Sequence, residues 1–288
     1  MLKKYKKGIL LGAVLLGLSS FGLVSAGMAN IDEYQEKVGA ILETRETAQA
    51  VQEAGEKKEN HLKLNTKDGS LDKPILISLC LHEVGYNDDA LSITPENFRK
   101  MVKELKAQGF TFVDANDLVS IKEGKKRQPR KAVFLGFDDG YKDNYTNAYP
   151  IIKEEGAKAT FFIVSNMISH ENRMTYADIQ EMLDNGMAIG SHTANHAELD
   201  KMSAEEIHKE LNDSKYSLEK SFGVKVNSVA YPCGGEDEEV VQETEKVYDI
   251  AFTASMDENV PNTPLTIHRY GVFSWNDSIG SVLRNPQK

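Results

Sequence analysis

Two adjacent acids follow a short apolar run near the middle of the chain. The run 131–137 contains five apolar residues besides one glycine, and Asp138, Asp139 and Gly140 come directly after it. A short apolar run that ends in a turn signal predicts a buried strand. Two carboxylates at the end of such a strand are costly unless a metal ion or a catalytic proton uses their charge. Because Asp-Gly is also a common turn dipeptide, a plain turn is the alternative interpretation.

Two histidines four residues apart follow another apolar run, 187–191. His192 and His196 would share one face of a helical turn, where they could bind one metal ion together. The zinc-protease motif needs glutamate directly after the first histidine, and Thr193 stands there instead. With Asp139, the two imidazoles make a set of three ligands that leaves positions for water and substrate, as catalytic metal sites do. Two solvated histidines on a turn are the alternative.

The elements that must position these residues alternate along the chain. The predicted strands are 74–82, 110–113, 131–137, 159–164, 187–191, 226–231, 250–253 and 266–273. The predicted helices are 95–109, 116–121, 149–155, 175–186, 203–222 and 239–247. This alternation predicts parallel strands with crossover helices. With about seven or eight units a barrel is favoured over an open sheet, and its chemistry would lie at the C-terminal ends of the strands.

The first 29 residues differ from the rest. Lysines at positions 3, 4, 6 and 7 precede an uncharged stretch, 8–30, which is the pattern of an export signal. The segment 24–26 resembles a cleavage site, but the stretch is also about long enough to span a bilayer. A cleaved signal and a retained membrane anchor both stay open. Either one places the remaining chain outside the cytoplasm, as a secreted or cell-surface protein or one anchored to the outer face of the cytoplasmic membrane.

Composition divides the remaining chain and limits its partners. The stretch 30–73 is rich in Glu, Gln and Lys and predicts a polar helical stalk or linker, followed by one catalytic domain at 74–288. The net charge of −10 argues against nucleic acid or an anionic membrane surface as a partner. Contact with a membrane is therefore expected only through the N-terminal segment, and we expect a monomer.

Two motifs in this order resemble one family. Phe137-Asp-Asp-Gly140, followed about fifty residues later by Ser191-His-Thr-x-x-His196, resembles the polysaccharide deacetylase family (carbohydrate esterase family 4). The resemblance covers roughly residues 74–275. It implies a distorted (β/α)7-8 barrel and metal-dependent hydrolysis of N-acetyl groups on a polymer that contains GlcNAc. Carried over, Asp138 is the catalytic base, and Asp139, His192 and His196 hold one divalent ion, with zinc as first choice and cobalt or nickel as alternatives.

The leaving amine needs an acid that protonates it, and two histidines are candidates. The family usually carries a late Leu-x-Ile-x-His motif, but the segment 265–268 is one residue short, which turns His268 to the other face of its strand. The segment 81–84, which contains His82, resembles the Tyr-His-x-Val segment of the biofilm poly-N-acetylglucosamine deacetylases. His82 is therefore the first choice for the acid and His268 the second.

Two further positions depart from the usual family pattern. Ala230 stands where most members carry arginine, so that another residue must orient Asp138, and Arg269 is the candidate. Cys233 stands where most members have tyrosine. A backbone N–H of Cys233 or Gly234 would supply the oxyanion contact to the substrate.

Two other residue types leave alternatives open. Cys80 and Cys233, the only cysteines, either form a disulfide, which an exported location permits, or remain two buried thiols. Trp275, the only tryptophan, either stacks on a sugar or packs in the ordinary way.

The residues and the resemblance together predict an exported hydrolase that removes N-acetyl groups from an extracellular GlcNAc polymer. Biofilm poly-β-1,6-N-acetylglucosamine is the first choice of substrate. Peptidoglycan of the cell wall or chitin-like oligomers come second, because His268 keeps part of the usual family architecture. An O-acetyl esterase with the same metal site and a non-catalytic polysaccharide-binding module are the remaining alternatives.

Overall fold

The computed structural model describes residues 74–254 and 260–284. The predicted signal or anchor, 1–29, and the predicted stalk, 30–73, lie outside the described residues. Within the described ranges, no helix is long and apolar enough to cross a membrane.

Strands and helices alternate through most of the described chain. The strands are β1 (Ile75–Leu81), β2 (Glu83–Val84), β3 (Ser92–Ile93), β4 (Thr111–Val113), β5 (Lys131–Phe137), β6 (Thr160–Ile163), β7 (Ala188–Ser191), β8 (Ser228–Ala230), β9 (Ile250–Thr253), β10 (Ile267–His268) and β11 (Tyr270–Gly271). The α-helices are α1 (Pro95–Ala107), α2 (Ala115–Lys122), α3 (Tyr149–Glu154), α4 (Tyr176–Asp184), α5 (Ala204–Phe222), α6 (Glu238–Glu245) and α7 (Ile279–Arg284). A π-helical turn, Asn144–Ala148, leads into α3, and short 3-10 turns follow β6, precede α5 and follow β8.

Nine strands form one parallel sheet that closes almost into a barrel. Its order is β10-β9-β8-β7-β6-β5-β1-β11, with β4 added beside β5. The segment 267–271 lies at both ends of this order, because β10 pairs with β9 whereas β11 pairs with β1. One short segment therefore bridges the two edges of the sheet, and the predicted distorted barrel is confirmed.

The side chains of each strand alternate between the barrel interior and the helices outside. Phe134 of β5 stacks on Phe252 of β9, with ring centroids 4.4 Å apart, and these two strands are not neighbours in the sheet. Their contact therefore crosses the interior. Phe137 points the other way and meets Phe98 of α1 edge to face at 5.6 Å. By this alternation, Asp138 continues the inner face of β5.

Most predicted elements agree with the structure, and the differences are local. The strand predicted at 131–137 matches β5 residue for residue. The capping box predicted at the start of α5 is formed by Ser203 and Glu206. The last predicted strand, 266–273, is instead divided at Arg269, since its two halves pair with different neighbours. The two-stranded sheet of β2 and β3, the π-helical turn and α7 were not predicted.

Candidate active site

Strand ends bring the predicted residues to the C-terminal mouth of the barrel. His82 follows β1, Asp138 and Asp139 follow β5, and His192 follows β7. The sheet extends into these ends, because the N–H of Asp138 donates to the carbonyl of Leu81 at 2.8 Å. The backbone of His192 is fixed in the same way, since its N–H donates to the carbonyl of Ile163 at 2.9 Å.

Asp139, His192 and His196 form a compact group of three possible metal ligands. One ligand atom from each lies within 4.8 Å of the others. Oδ1 of Asp139 is 3.1 Å from Nε2 of His196 and 3.4 Å from Nε2 of His192. Nδ1 of His192 lies 2.8 Å from the carbonyl oxygen of Ala230 and donates to it, which leaves the lone pair of Nε2 facing Asp139.

The chemistry of this group fits a bound cation. Oδ1 of Asp139 is buried and, among the described residues, accepts no hydrogen bond. A buried acceptor that faces a ring-nitrogen lone pair needs positive charge between the two atoms. The three side chains would therefore hold one divalent ion, and imidazole with carboxylate is a donor set that suits zinc-like metals.

Asp138 is bound to Arg269, a contact that the sequence analysis put forward as a candidate. The guanidinium donates from Nη1 to Oδ1 and from Nη2 to Oδ2, both at 2.7 Å. The Cys80 thiol donates to Oδ2 at 3.3 Å. Burial would raise the pKa of Asp138, but Arg269 outweighs it and lowers the pKa to about 2. Asp138 is therefore an ionised, oriented carboxylate beside the metal-ligand group.

The position of Arg269 follows from the way the barrel closes. The residue lies between β10 and β11, and its side chain is fully buried on the inner face. Its Cζ lies 5.5 Å and 5.9 Å from the ring centroids of Phe162 and Phe252. Gly136 leaves the space that the guanidinium fills, because a Cβ atom there would lie 3.2 Å from Nη1 of Arg269 and 2.9 Å from Cε1 of Phe134.

Replacing Gly136 is expected to disturb this arrangement. We expect Gly136→Ala to lower the free energy of unfolding by about 1–3 kcal/mol, because a methyl group is forced into a filled interior. Urea denaturation measures this change. Gly280→Ala in α7 is the matched control, since its nearest neighbour is the end of the flexible Arg284 side chain at 3.3 Å. Alanine suits a helix better than glycine, so the control is expected to be neutral or stabilising; equal losses in both variants would contradict the prediction.

Cys80, His82 and Asp138 form a second group of possible ligands within 4.8 Å of one another. This group is the weaker metal candidate. Asp138 is already neutralised by Arg269, and burial raises the pKa of the Cys80 thiol well above its usual value. A metal ion there would have to displace the thiol proton beside a buried guanidinium. Electrostatics therefore favours the group around Asp139 as the cation site.

Of the two candidate acids, His82 lies beside Asp138, in the group that also contains Cys80. It is half-buried, and burial lowers its pKa while Asp138 and Asp139 oppose that shift. Its Nδ1 is buried and meets no hydrogen-bond partner in the described part of the chain. His268 lies on β10, and by strand alternation its side chain takes the opposite face from Arg269. The structure therefore brings His82 to the site and turns His268 away from the barrel interior.

The segment after β8 places Cys233 at the mouth. The N–H of Gly234 donates to the carbonyl of Tyr231 at 3.2 Å, which leaves Cys233 as the better oxyanion donor of the two. Both cysteines are unpaired, so the disulfide alternative is wrong. The alternative of two buried thiols is right for Cys80 but wrong for Cys233, because the 3-10 turn Pro232–Gly234 exposes its side chain.

Strained backbone conformations are concentrated at this end of the barrel, and the sequence did not predict them. Six non-glycine residues have positive φ in the described ranges. Four of them belong to the site segments: Asp139 (70°), Thr193 (63°), His196 (60°) and Cys233 (57°). Strained residues of this kind persist where the surrounding structure holds them, and they are frequent at active sites.

Trp275 packs on a neighbouring ring but is not buried. Its side chain is half-exposed and stacks on Phe273, with ring centroids 4.7 Å apart. Its segment follows β11, which runs parallel to β1. Trp275 therefore belongs to the same end of the barrel as His82.

Residues 125–248 match the model of a family described as polysaccharide deacetylase, and this range contains both the Asp138–Asp139 pair and the two histidines. YxkH of Bacillus subtilis strain 168, a protein named for the same family, is 30% identical over 183 residues, which are 63% of this chain and 66% of that protein. Residues 125–248 therefore form a polysaccharide deacetylase domain.

Two further comparisons find similar proteins that are named as deacetylases. The poly-β-1,6-N-acetyl-D-glucosamine N-deacetylase of Staphylococcus aureus strain MSSA476 is 30% identical over 157 residues, which are 50% of this chain and 54% of that protein. The solved structure of BC0361, a polysaccharide deacetylase from Bacillus cereus, superposes with a TM-score of 0.64 at 28% identity and covers 74% of this chain and 69% of that one. The chain thus spans between about half and two thirds of the length of these relatives.

Proposed function

We propose that this protein is a metal-dependent deacetylase that removes N-acetyl groups from a GlcNAc-containing polysaccharide. The observation that carries the proposal is the pair of carboxylates with unlike surroundings. Oδ1 of Asp139 faces two imidazoles and accepts no hydrogen bond within the described part of the chain, whereas Asp138 is held by Arg269. Pairs of acids whose environments differ in this way commonly divide catalytic roles between them.

Each side chain has one task in the proposed reaction. Asp139, His192 and His196 would hold one divalent ion, which would supply Lewis-acid chemistry when bound. Asp138 accepts a proton from the attacking water, and Arg269 keeps this carboxylate ionised and oriented. His82 donates a proton to the departing amine. The N–H of Cys233 stabilises the negative charge that develops on the carbonyl oxygen, and Gly234 shapes its turn.

The substrate proposal rests on the relatives and on charge. Poly-β-1,6-N-acetylglucosamine ranks first, because the Staphylococcus aureus relative is named for that polymer. Peptidoglycan and chitin-like oligomers rank second. The N-terminal pattern supports export, so the polymer would be met at the cell surface, in the cell wall or in a biofilm. The net charge of −10 fits a neutral polymer and a cationic product better than a polyanion.

The intact set of site residues argues against the non-catalytic alternative. A binding module would need neither an oriented Asp138 nor a cation site beside it. The same residues could also hydrolyse an O-acetyl ester, because an ester leaving group needs less help from an acid than an amine does.

Metal removal and restoration tests the proposed function. The purified protein is stripped with a chelator and then given Zn²⁺, Co²⁺ or Ni²⁺. Release of free amine is measured from β-1,6-linked and β-1,4-linked GlcNAc oligomers and from peptidoglycan. We expect stripping to abolish release and one of the ions to restore it, with Asp139→Asn as the control that is not restored. No amine release from any polymer with any ion would end the enzyme proposal.

The choice of acid leads to a separate prediction. We expect His82→Ala to lower the rate of amide hydrolysis by about 10²- to 10⁴-fold, the usual contribution of a general acid, and to lower ester hydrolysis much less. His268→Ala, the matched control, is expected to keep a rate near that of the wild type. A near-normal rate in His82→Ala together with an inactive His268→Ala would reverse the choice.

A further inference from the structure

Arg173 lies beside the metal-ligand group and has no assigned task. Its Cζ is 4.0 Å from the centroid of the Tyr141 ring, and an isolated antiparallel bridge joins the two residues. Tyr141 follows Asp139 by two positions. The guanidinium therefore belongs to the wall of the proposed site.

The loop that carries Arg173 is hydrogen-bonded to the segment that follows β5. The N–H of Met174 donates to the carbonyl of Gly140 at 3.0 Å, and the N–H of Lys142 donates to the carbonyl of Asn172 at 2.9 Å. Ser169 and Asn172 have positive φ, at 66° and 59°. Such conformations persist only where the surroundings impose them. Arg173 is thus presented in one place before any ligand arrives.

The guanidinium has a donor that the protein does not use. Nη1 of Arg173 is buried and finds no acceptor in residues 74–254 and 260–284. No carboxylate in those ranges lies within 4.0 Å of it, whereas Arg269 is bound at both Nη atoms. An unused buried donor is unfavourable, and the positive charge of this one makes it more so. A ligand oxygen would remove the cost.

We infer that Arg173 is a specificity-determining residue whose Nη1 donates to a hydroxyl oxygen of the sugar unit that carries the acetamide. This inference rests on the proposed function, which brings that sugar to Asp139 and His196. A hydroxyl is favoured over a carboxylate because the protein itself carries a net charge of −10. Stacking on Tyr141 fixes the guanidinium plane, so the bond selects for the position of the hydroxyl on the ring.

The contact is made before and during the reaction alike, so its loss affects binding more than turnover. We expect Arg173→Ala to raise KM for a neutral GlcNAc oligomer by about 10- to 100-fold, the usual effect of losing a hydrogen bond to a charged group. The value of kcat is expected to change by less than about threefold. Arg173→Gln keeps a planar donor without the charge and is expected to recover part of the affinity. Arg99→Ala, which removes a partly exposed arginine of α1 that pairs with Glu154, is the matched control and is expected to leave both constants unchanged.

A binding measurement separates this inference from the proposed function. Calorimetry in an Asp138→Asn background gives the Kd of the same oligomer without turnover, and the same rise is expected when Arg173→Ala is added. A Kd that does not change, with the fold intact by circular dichroism, would overturn the inference. A fall in kcat at constant affinity would also overturn the inference. The same holds for a loss of affinity that is confined to oligomers carrying a carboxylate. A wild-type protein that binds the oligomer through Arg173 but releases no amine would overturn only the proposed function.

Discussion

Asp138→Asn is expected to lower amine release by about 10²- to 10⁴-fold, because an amide of the same shape cannot accept the proton of the attacking water. The bound metal is expected to stay, since Asp139, His192 and His196 supply the ligand atoms. The measurements are kcat with a GlcNAc oligomer and metal content after gel filtration. The two readouts together separate the base from the ligand.

The control for this variant is a second acid close by. Asp143 lies five positions after Asp138 in a half-buried setting, where its Oδ1 accepts a hydrogen bond from the side chain of Asn144 at 3.0 Å. Asp143→Asn is expected to keep most of the activity. Loss of the metal in Asp138→Asn would show that the roles of the two adjacent aspartates are the reverse of those proposed.

Arg269→Met is expected to lower the free energy of unfolding by about 3–5 kcal/mol and to lower the rate as well. The reason for the instability is that the variant leaves a fully buried carboxylate without its partner. The Arg269 side chain is 0% exposed and that of Asp138 is 3% exposed, so water cannot replace the lost contact. Urea denaturation gives the free energy, and amine release gives the rate.

Two further variants show whether the pair stabilises the barrel or orients the base. Replacing both partners, as Arg269→Met with Asp138→Leu, is expected to recover most of the stability, because a buried ion pair can give way to apolar packing at little cost. It is expected to remain inactive. Arg99→Met, which breaks a surface pair with Glu154, is expected to cost at most about 1 kcal/mol. A stable and fully active Arg269→Met would contradict the proposed orientation of Asp138.

The elements and the ligand group could be predicted from the sequence because their signals are local. The apolar run 131–137 ends at its two acids, and β5 has the same bounds. The two motifs that contain Asp139, His192 and His196 lie at the ends of strands that are parallel, and parallel strands bring their C-terminal ends to one edge. The parallel barrel, and the position of its chemistry at the C-terminal strand ends, followed from the alternation of strands and helices.

The left-handed backbone at Asp139 and His196 could not be predicted in the same way. Neither residue is a glycine, and no turn dipeptide requires that conformation at both positions. The conformations are imposed by neighbouring strands and loops, which a local pattern does not contain. The exposure of Cys233 could not be predicted either, because it depends on a 3-10 turn of only three residues.

The sequence by itself determined the strand that carries Asp138 and Asp139, the histidines that face Asp139, and the family to which the pattern belongs. Only the tertiary structure decided what holds Asp138. Arg269 is 131 positions away in the chain, and Gly136 and the segment 267–271 must both be in place before its guanidinium can reach the carboxylate. The same applies to Arg173, whose unused donor appears only when its loop is bound to the loop of Asp139. Short-range patterns specify strands and their ends, whereas closure of the barrel brings distant charges into contact.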